Sequence, residues 1–462
     1  MKAKTKVREL TGYLKELQDA VGDKLRVELP DRLLFRYDAL LQGEVPLAVV
    51  MAETTEDVAR TLKICDHHDL PVIPRGGASG LSGGVVPVKP SVVISTTRMK
   101  GLKIDREGMT ATVQPGVINQ ELQDALKPFG LYYPPDPQSG RQATIGGNIG
   151  ENAGGPMCLK KGVTGDYVLE LEFVTMQGDV YRMDRSGVDL PGLLIGSEGT
   201  LAFVTEAKLR LAVLPRYTQT ARAIFNTLED AGKAVALITA RGLTPAKLEL
   251  MDRASINAVE DAFSLGLPRE AEAVLVCDTD GNDLQEVLAE IQAVKQAFDD
   301  AGATSSQIAQ NEKEAEALWK ARKSISPSLG RIRPQRMNED IVVPRSKLPV
   351  VMREIRALGD ASPFPLAIFG HAGDGNLHPN IMYSKQTDSW DEVDHLAHEI
   401  ARVAIKYGGV LSGEHGIGLA KKPFMLEATP RPTLEAYWAV KKTLDPKNLM
   451  NPGKVLPELA SN

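Results

Sequence analysis

Cysteine is scarce in this 462-residue chain: Cys65, Cys158 and Cys277 are far apart and odd in number. That excludes a disulfide framework and points to a reducing compartment. No iron–sulfur cysteine spacing occurs, and no nicotinamide fingerprint, so electrons must leave this chain for an external acceptor if it handles them at all. Aromatic residues make up only 5%, and no uninterrupted apolar run is long enough to span a bilayer. Met1–Lys6 is basic, but no apolar segment follows it as in a signal peptide. A net charge of -6 gives no electrostatic reason to expect nucleic acid or an anionic membrane as partner. The expectation is a cytoplasmic globular protein of about three 150-residue units, or two larger domains. A partner could still hold it at the inner face of a membrane.

Histidine is also sparse, with seven in the chain, yet three of them fall in two glycine-rich stretches. Phe369-Gly-His-Ala-Gly-Asp-Gly-Asn-Leu-His-Pro-Asn380 follows the apolar run Pro365–Phe369 and carries His371 and His378. An apolar run broken by Asp-Gly reads as two strands and a tight turn, which brings both imidazoles to one place. Gly413-Glu-His-Gly-Ile-Gly418 adds the carboxylate of Glu414 and the imidazole of His415. Two histidines and a glutamate, with a spare histidine, suit a divalent metal with open positions; zinc, manganese and iron all accept that set. The other histidines have plainer readings. His67 and His68 lie near a helix C-terminus, where the dipole favours cations, and His395 and His398 lie on a solvent-facing helix surface.

Glycine, by contrast, is concentrated. Pro74–Gly84 holds five glycines in eleven residues, enough for backbone N–H groups to converge on a pyrophosphate. It is neither a Walker loop nor a Rossmann turn, because strand-like Ser91–Ser95 follows. Tyr132–Pro137 fixes an extended path into Ala143–Gly155, and Ile195–Leu201 precedes a strand at Ala202–Leu211. Tyr167–Met176 and Asp179–Met183 read as a hairpin. Three backbone-exposing loops carried on strands indicate a large diphosphate-bearing cofactor. After Pro215 strands (Ala221–Phe225, Lys247–Met251, Ala273–Cys277, Asp340–Val343) alternate with helices (Leu228–Arg241, Asp283–Ala301). The apolar spacing of Val7–Val21 predicts an N-terminal helix, and Thr54 or Thr55 can cap the next.

With these motifs in view, the chain resembles the FAD-linked oxidases of the vanillyl-alcohol-oxidase type. Within them it resembles the branch of glycolate oxidase flavin subunits, D-lactate dehydrogenases and D-2-hydroxyglutarate dehydrogenases. The resemblance runs from about Pro46 to Leu456 and is carried by Pro74–Gly84, Ala143–Gly155, Gly196–Gly199, Gly370–Pro379 and Gly413–Gly418. It implies an α+β fold: a two-subdomain FAD-binding domain at 1–215, rejoined by 443–462, and a cap domain with an antiparallel sheet at 216–442. It implies that Pro74 and the loop Arg75, Gly76, Gly77, Ala78, Ser79 and Gly80 hold the FAD pyrophosphate. Pro134, Asp136, Ser139, Thr144, Gly146, Gly147, Asn148, Gly150, Asn152, Gly199, Leu201 and Val204 would line the flavin, with Asn451 near its ring. The first loop offers no histidine or cysteine, so non-covalent FAD is expected, and Cys158 reads as a small buried side chain.

The resemblance further implies metal ligation by His371, His378 and Glu414, contact of Asn380 with substrate or the metal's surroundings, and His415 as base. An unperturbed imidazole, with a pKa of about 6.5, would suit that task. Arg322 matches the substrate-carboxylate arginine, Ser326 shares its helix face, and Arg331, Arg333 and Arg336 form a second basic cluster that could serve instead. Two departures stand out: Asp278 replaces a glutamate, and Met337–Asp340 lacks a lysine found in some 2-hydroxyglutarate enzymes. The expected reaction is oxidation of a small D-2-hydroxy acid, glycolate or D-lactate, to the 2-oxo acid. Electrons would pass to an iron–sulfur subunit, an electron-transfer flavoprotein or a quinone. A 2-hydroxyglutarate dehydrogenase, an electron-relay subunit and a metal-dependent hydrolase are the alternatives. A homodimer is expected on frequency alone.

Overall fold

The computed structural model describes residues 12–459. The apolar run after Pro46 forms the strand Ala48–Met51, which pairs in parallel with Val92–Ser95, itself parallel to Val72–Arg75. Leu25–Arg26 closes one edge of this four-stranded sheet in antiparallel pairing. Thr54 caps the helix Thr55–His67 in a reciprocal box with Asp57, as its side chain allows. Tyr13–Val21 is helical and buries Leu17 and Val21 against Val58, Leu62 and Cys65; the earlier part of the predicted helix lies outside the described residues.

A second, five-stranded sheet is antiparallel throughout, in the order Leu102–Asp105, Thr110–Val113, Phe203–Arg210, Val168–Val174, Val180–Asp184. The last two strands are the expected hairpin, with Phe173 stacked on Tyr181 at 5.6 Å. One expectation fails here. The Ala143–Gly155 cluster is not a loop throughout: Ile145–Glu151 is helical. Glycine disfavours helix by up to about 1 kcal/mol per residue. Here the Thr144 side chain caps the helix, and burial of Ile145 and Ile149 in the core compensates.

The C-terminal half is built on one antiparallel sheet. Its order is Ser305–Ile308, Tyr217–Phe225, Ala273–Gly281, Lys247–Asp252, Leu366–Gly370, Asn376–Tyr383, Gln335–Asn338. Helices cover both faces, so its strands read as nearly continuous apolar runs. Ala273, Leu275 and Cys277 pack with the helices Leu228–Ala240, Leu284–Asp300, Leu348–Ala361 and Trp390–Lys406. Val274 and Val276 face Arg253–Phe263 and Ile325–Leu329 on the other side. By the same alternation, Glu249 points away from the side of Leu248 and Leu250. The expected strand Asp340–Val343 shortens to Ile341–Val342.

The chain finally returns to the first sheet. Val72 N donates to Leu449 O, Asn451 N donates to Val72 O, and Leu449 and Met450 enter the first core. Buried Lys441 holds this return, donating to Thr200 O at 2.6 Å, Asp445 Oδ2 at 2.5 Å and Met450 O at 2.7 Å. Breaking a buried pair by removing one partner costs about 3–5 kcal/mol. Lys441→Met is therefore expected to lower stability to urea by roughly that amount, while exposed Lys442→Met shifts it by less than about 0.5 kcal/mol.

Candidate active site

The strands Leu366–Gly370 and Asn376–Tyr383 form the expected hairpin, joined by the single turn Ala372–Asp374, with Phe369 opposite His378. His371 leaves the end of the first strand and His378 lies within the second, so their rings meet edge to face at 5.3 Å. Glu414 completes the group. Its Oε1 lies 3.2 Å from His371 Nε2, 3.4 Å from His378 Nε2 and 3.8 Å from His415 Nε2. His415 stacks on His378 with centroids 5.1 Å apart. Three imidazoles thus converge on one carboxylate oxygen.

Two acids that sequence reasoning missed hold this group. Glu249, fully buried, accepts from His371 Nδ1 at 2.6 Å and pairs with Arg322 at 2.6 Å. That fixes the His371 ring so that Nε2 faces Glu414. Asp340, also fully buried, accepts with Oδ2 from the backbone N–H groups of Gly413, Glu414 and His415 at 3.0, 3.1 and 2.9 Å. Its Oδ1 accepts from Asn376 Nδ2 at 2.7 Å. An acid inside the apolar run Leu248-Glu-Leu-Met251 was the signal available for Glu249. Asp340 makes contacts more than 70 residues along the chain, which no local pattern shows.

Burial alone would lower the His371 imidazole, but the carboxylates of Glu249 and Glu414 override it and raise it to about 10. His415 goes the other way. Burial pushes it down to about 4 against the pull of Asp340, so it is a neutral acceptor at neutral pH rather than the unperturbed imidazole expected. Burial would raise Glu414, yet His371 and His378 hold it well below the carboxylate range.

The cluster opens into a cleft of about 490 Å³ between the two halves of the chain. His378, Glu414 and His415 border it on one side; Gly76, Gly77, Ala78, Ser79, Gly80, Ser139, Thr144, Gly147 and Asn148 border it on the other. A smaller space of about 80 Å³ continues it past Pro74, Arg75, Gly146, Gly150, Gly199 and Val204. A Cβ on Gly76 would overlap Thr144 Oγ1 and one on Gly77 the carbonyl of Gln142, so the first loop can lie on the second only as glycine. Asn148 Nδ2 and Ser82 Oγ are buried here without a partner among the described residues. A polar, diphosphate-bearing cofactor suits such a trough.

Not every expected residue reaches it. The Arg75 guanidinium turns away, onto Tyr37 O at 2.7 Å and the ring of Phe35. Pro134 is buried and borders neither space, and Leu201 packs into the core of the five-stranded sheet. Asn152 takes a left-handed turn and accepts from Gly165 N with Oδ1. Asn451 braces the trough from behind, its Nδ2 donating to Gly84 O and Glu198 O. Asp136 and Arg322 border a neighbouring recess instead, and Glu249 occupies the Arg322 guanidinium. Asn380 is fully buried beside the cluster, with Nδ2 on His378 O and Oδ1 unpartnered among the described residues. Two cations border the cleft with His378 and His415: Lys323, and Arg336 beside Ser326, whose carbonyl Arg336 reaches at 3.2 Å.

Residues 46–184 match the FAD binding domain family, and residues 214–455 match the FAD linked oxidases, C-terminal domain family. Over 435 residues the chain is 40% identical to glycolate oxidase subunit GlcD of Bacillus subtilis (strain 168), covering 92% of each. It is 35% identical over 419 residues to a D-lactate dehydrogenase of Archaeoglobus fulgidus, covering 89% of this chain and 91% of that one. Among solved structures, p-cresol methylhydroxylase with substrate bound aligns at TM-score 0.80 and 16% identity over 96% of each chain, a likeness of fold. That is the fold type the family resemblance implied. The trough falls largely within one matched segment and the imidazole cluster within the other, and this chain belongs to the FAD-linked oxidases, as an FAD-dependent oxidoreductase.

Proposed function

We propose that this enzyme oxidises a small D-2-hydroxy acid, glycolate or D-lactate, to the 2-oxo acid and passes the electrons to an external acceptor. The observation that carries the reading is the convergence of three imidazole Nε2 atoms on Glu414 in a cleft continuous with the glycine trough. The relatives named for glycolate and D-lactate support the substrate class.

A divalent metal fits the cluster. Bonds of about 2.1 Å put neighbouring ligand atoms about 3.0–3.4 Å apart in octahedral or tetrahedral sites. The His371–Glu414 and His378–Glu414 separations are 3.2 and 3.4 Å. The carboxylate field that favours a proton on His371 also favours a cation beside it. His371, His378 and Glu414 would hold it, and zinc, manganese or iron would suit. When bound, FAD supplies the hydride acceptor and the metal supplies Lewis acidity to the substrate oxygens. The chain's own part is orientation and proton transfer. Arg336, with no carboxylate partner among the described residues, takes the substrate carboxylate, and Ser326 borders the same wall. Neutral His415 accepts the hydroxyl proton. Arg322 acts through Glu249, which orients His371 for the metal.

Anaerobic bleaching of the visible flavin band by a panel of D- and L-2-hydroxy acids tests the reaction. Achiral glycolate, included in the panel, or one D-acid is expected to bleach it rapidly, with loss on chelation and recovery on adding metal; a flavin that no acid bleaches with metal present would sink the reading. The two arginines should separate. Arg336→Gln loses a charge-assisted hydrogen bond worth about 1.5–3 kcal/mol, so KM for the acid should rise roughly 10- to 100-fold. Arg322→Gln should leave KM nearly unchanged and weaken metal affinity roughly 10- to 100-fold, the usual cost of losing an outer partner. Metal titration and steady-state kinetics distinguish the two patterns. His415→Gln should abolish flavin reduction while retaining metal and FAD.

A further inference from the structure

The imidazole cluster has a second approach besides the cofactor trough. A recess of about 660 Å³ lies between the cofactor-domain loop 136–142 and the cap helix Glu312–Lys323. No first-loop glycine borders it. It shares Pro137, Gln138, Ser139, Gln142 and Lys323 with the cleft that holds His378, Glu414 and His415, and Glu249 and Arg322 also border it. Outward, Lys247, Trp319 and Lys323 also border a surface groove of about 800 Å³. Lys323 therefore stands where all three spaces meet.

The charges along this route are not those of the chain as a whole. Four cations border the recess, Arg141, Lys247, Arg322 and Lys323, against two carboxylates, Asp136 and Glu249, in a chain of net charge -6. Two of the cations are engaged: Arg322 by Glu249, and Lys247 by Asp278 at 3.1 Å while it lies over the Trp319 ring at 4.8 Å. Arg141 and Lys323 are exposed, with no carboxylate at ion-pair distance among the described residues. Unpaired cations in a walled recess raise the local concentration and on-rate of small anions, and salt weakens the effect.

We propose that this recess is an anion passage, through which small carboxylates pass between the loop and the helix and reach the cleft past Lys323. The identity of the carboxylate rests on the 2-hydroxy-acid reading; the passage itself does not.

The test uses the holoenzyme with Trp390→Phe and Trp438→Phe, which leaves Trp319 as the only tryptophan. Iodide and neutral acrylamide are compared as quenchers of its fluorescence. Lys323→Glu should reduce iodide quenching several-fold and leave acrylamide quenching unchanged, whereas exposed Lys103→Glu on the five-stranded sheet changes neither. Equal iodide quenching in the parent and Lys323→Glu overturns the passage. In parallel, for the acid that reduces the flavin, Lys323→Glu should lower kcat/KM several-fold at low ionic strength, keep kcat, and abolish the decline of kcat/KM with salt. An acid that reduces the flavin with the same kcat/KM in both proteins also overturns it. If no 2-hydroxy acid reduces the flavin, the functional reading fails and the iodide comparison alone decides the passage.

Discussion

One buried carboxylate, Asp340, carries the geometry of the site. The loop after Ser412 has no regular structure of its own, yet it must hold Glu414 and His415 against two histidines from a separate hairpin. Asp340 does this by accepting three consecutive backbone N–H groups and the Ser412 hydroxyl, at 2.8 to 3.1 Å. Lys421 adds its ammonium at 3.3 Å, and Asn376, on the hairpin, ties the other oxygen. Burial would raise the Asp340 carboxyl, but Lys421, His415 and His378 hold it well below the carboxylate range, so it stays an anion and an acceptor. Loop and hairpin are thereby referred to the same two oxygen atoms.

Counting charge around that hub sets Glu414 apart from the other two buried acids. Glu249 has Arg322 and Asp340 has Lys421, each at ion-pair distance in the interior. Glu414 has only imidazoles. A buried carboxylate without a fixed cation is costly unless something positive joins it. In the metal-free chain a proton on His371 serves, which is why that imidazole is raised to about 10. A divalent ion would displace the proton and answer the same deficit. Had Glu414 been given its own lysine, the site would be a closed salt bridge with nothing to bind.

The parts of this arrangement visible in the sequence were those made by short-range pattern. The hairpin of His371 and His378, the glycine clusters and the strand–helix alternation of the C-terminal half follow from apolar runs and turn residues, because neighbours in sequence make them. Glu249 and Asp340 are different. Each matters through a partner on another element, such as His371 for Glu249 across 122 residues. Arg322 illustrates the cost: helix position puts it near the site, but only the structure shows that Glu249 already occupies it. Ile145–Glu151 was hidden for the opposite reason. Its glycines read as loop, and the packing of Ile145 and Ile149 that makes it helical is tertiary.

The two halves of the molecule meet without slack at this same loop. Glu198, on the third glycine segment of the cofactor domain, accepts from Ile417 N at 2.6 Å and Gly418 N at 2.8 Å. Asp340 therefore grips the loop from the cap side just before the point where Glu198 grips it from the cofactor side. At Gly416 and Gly418 a side chain has no room: a Cβ on Gly416 would overlap the Glu151 carboxylate, and one on Gly418 the carbonyl of Ser82. Both residues also take positive φ, +82° and +49°, which suits glycine. Contact made through backbone has no rotamers to absorb a displacement. The residue that would accept the substrate proton, His415, is immediately followed by this contact, so its position depends on the glycine segments that line the cofactor trough as much as on the cap that bears it.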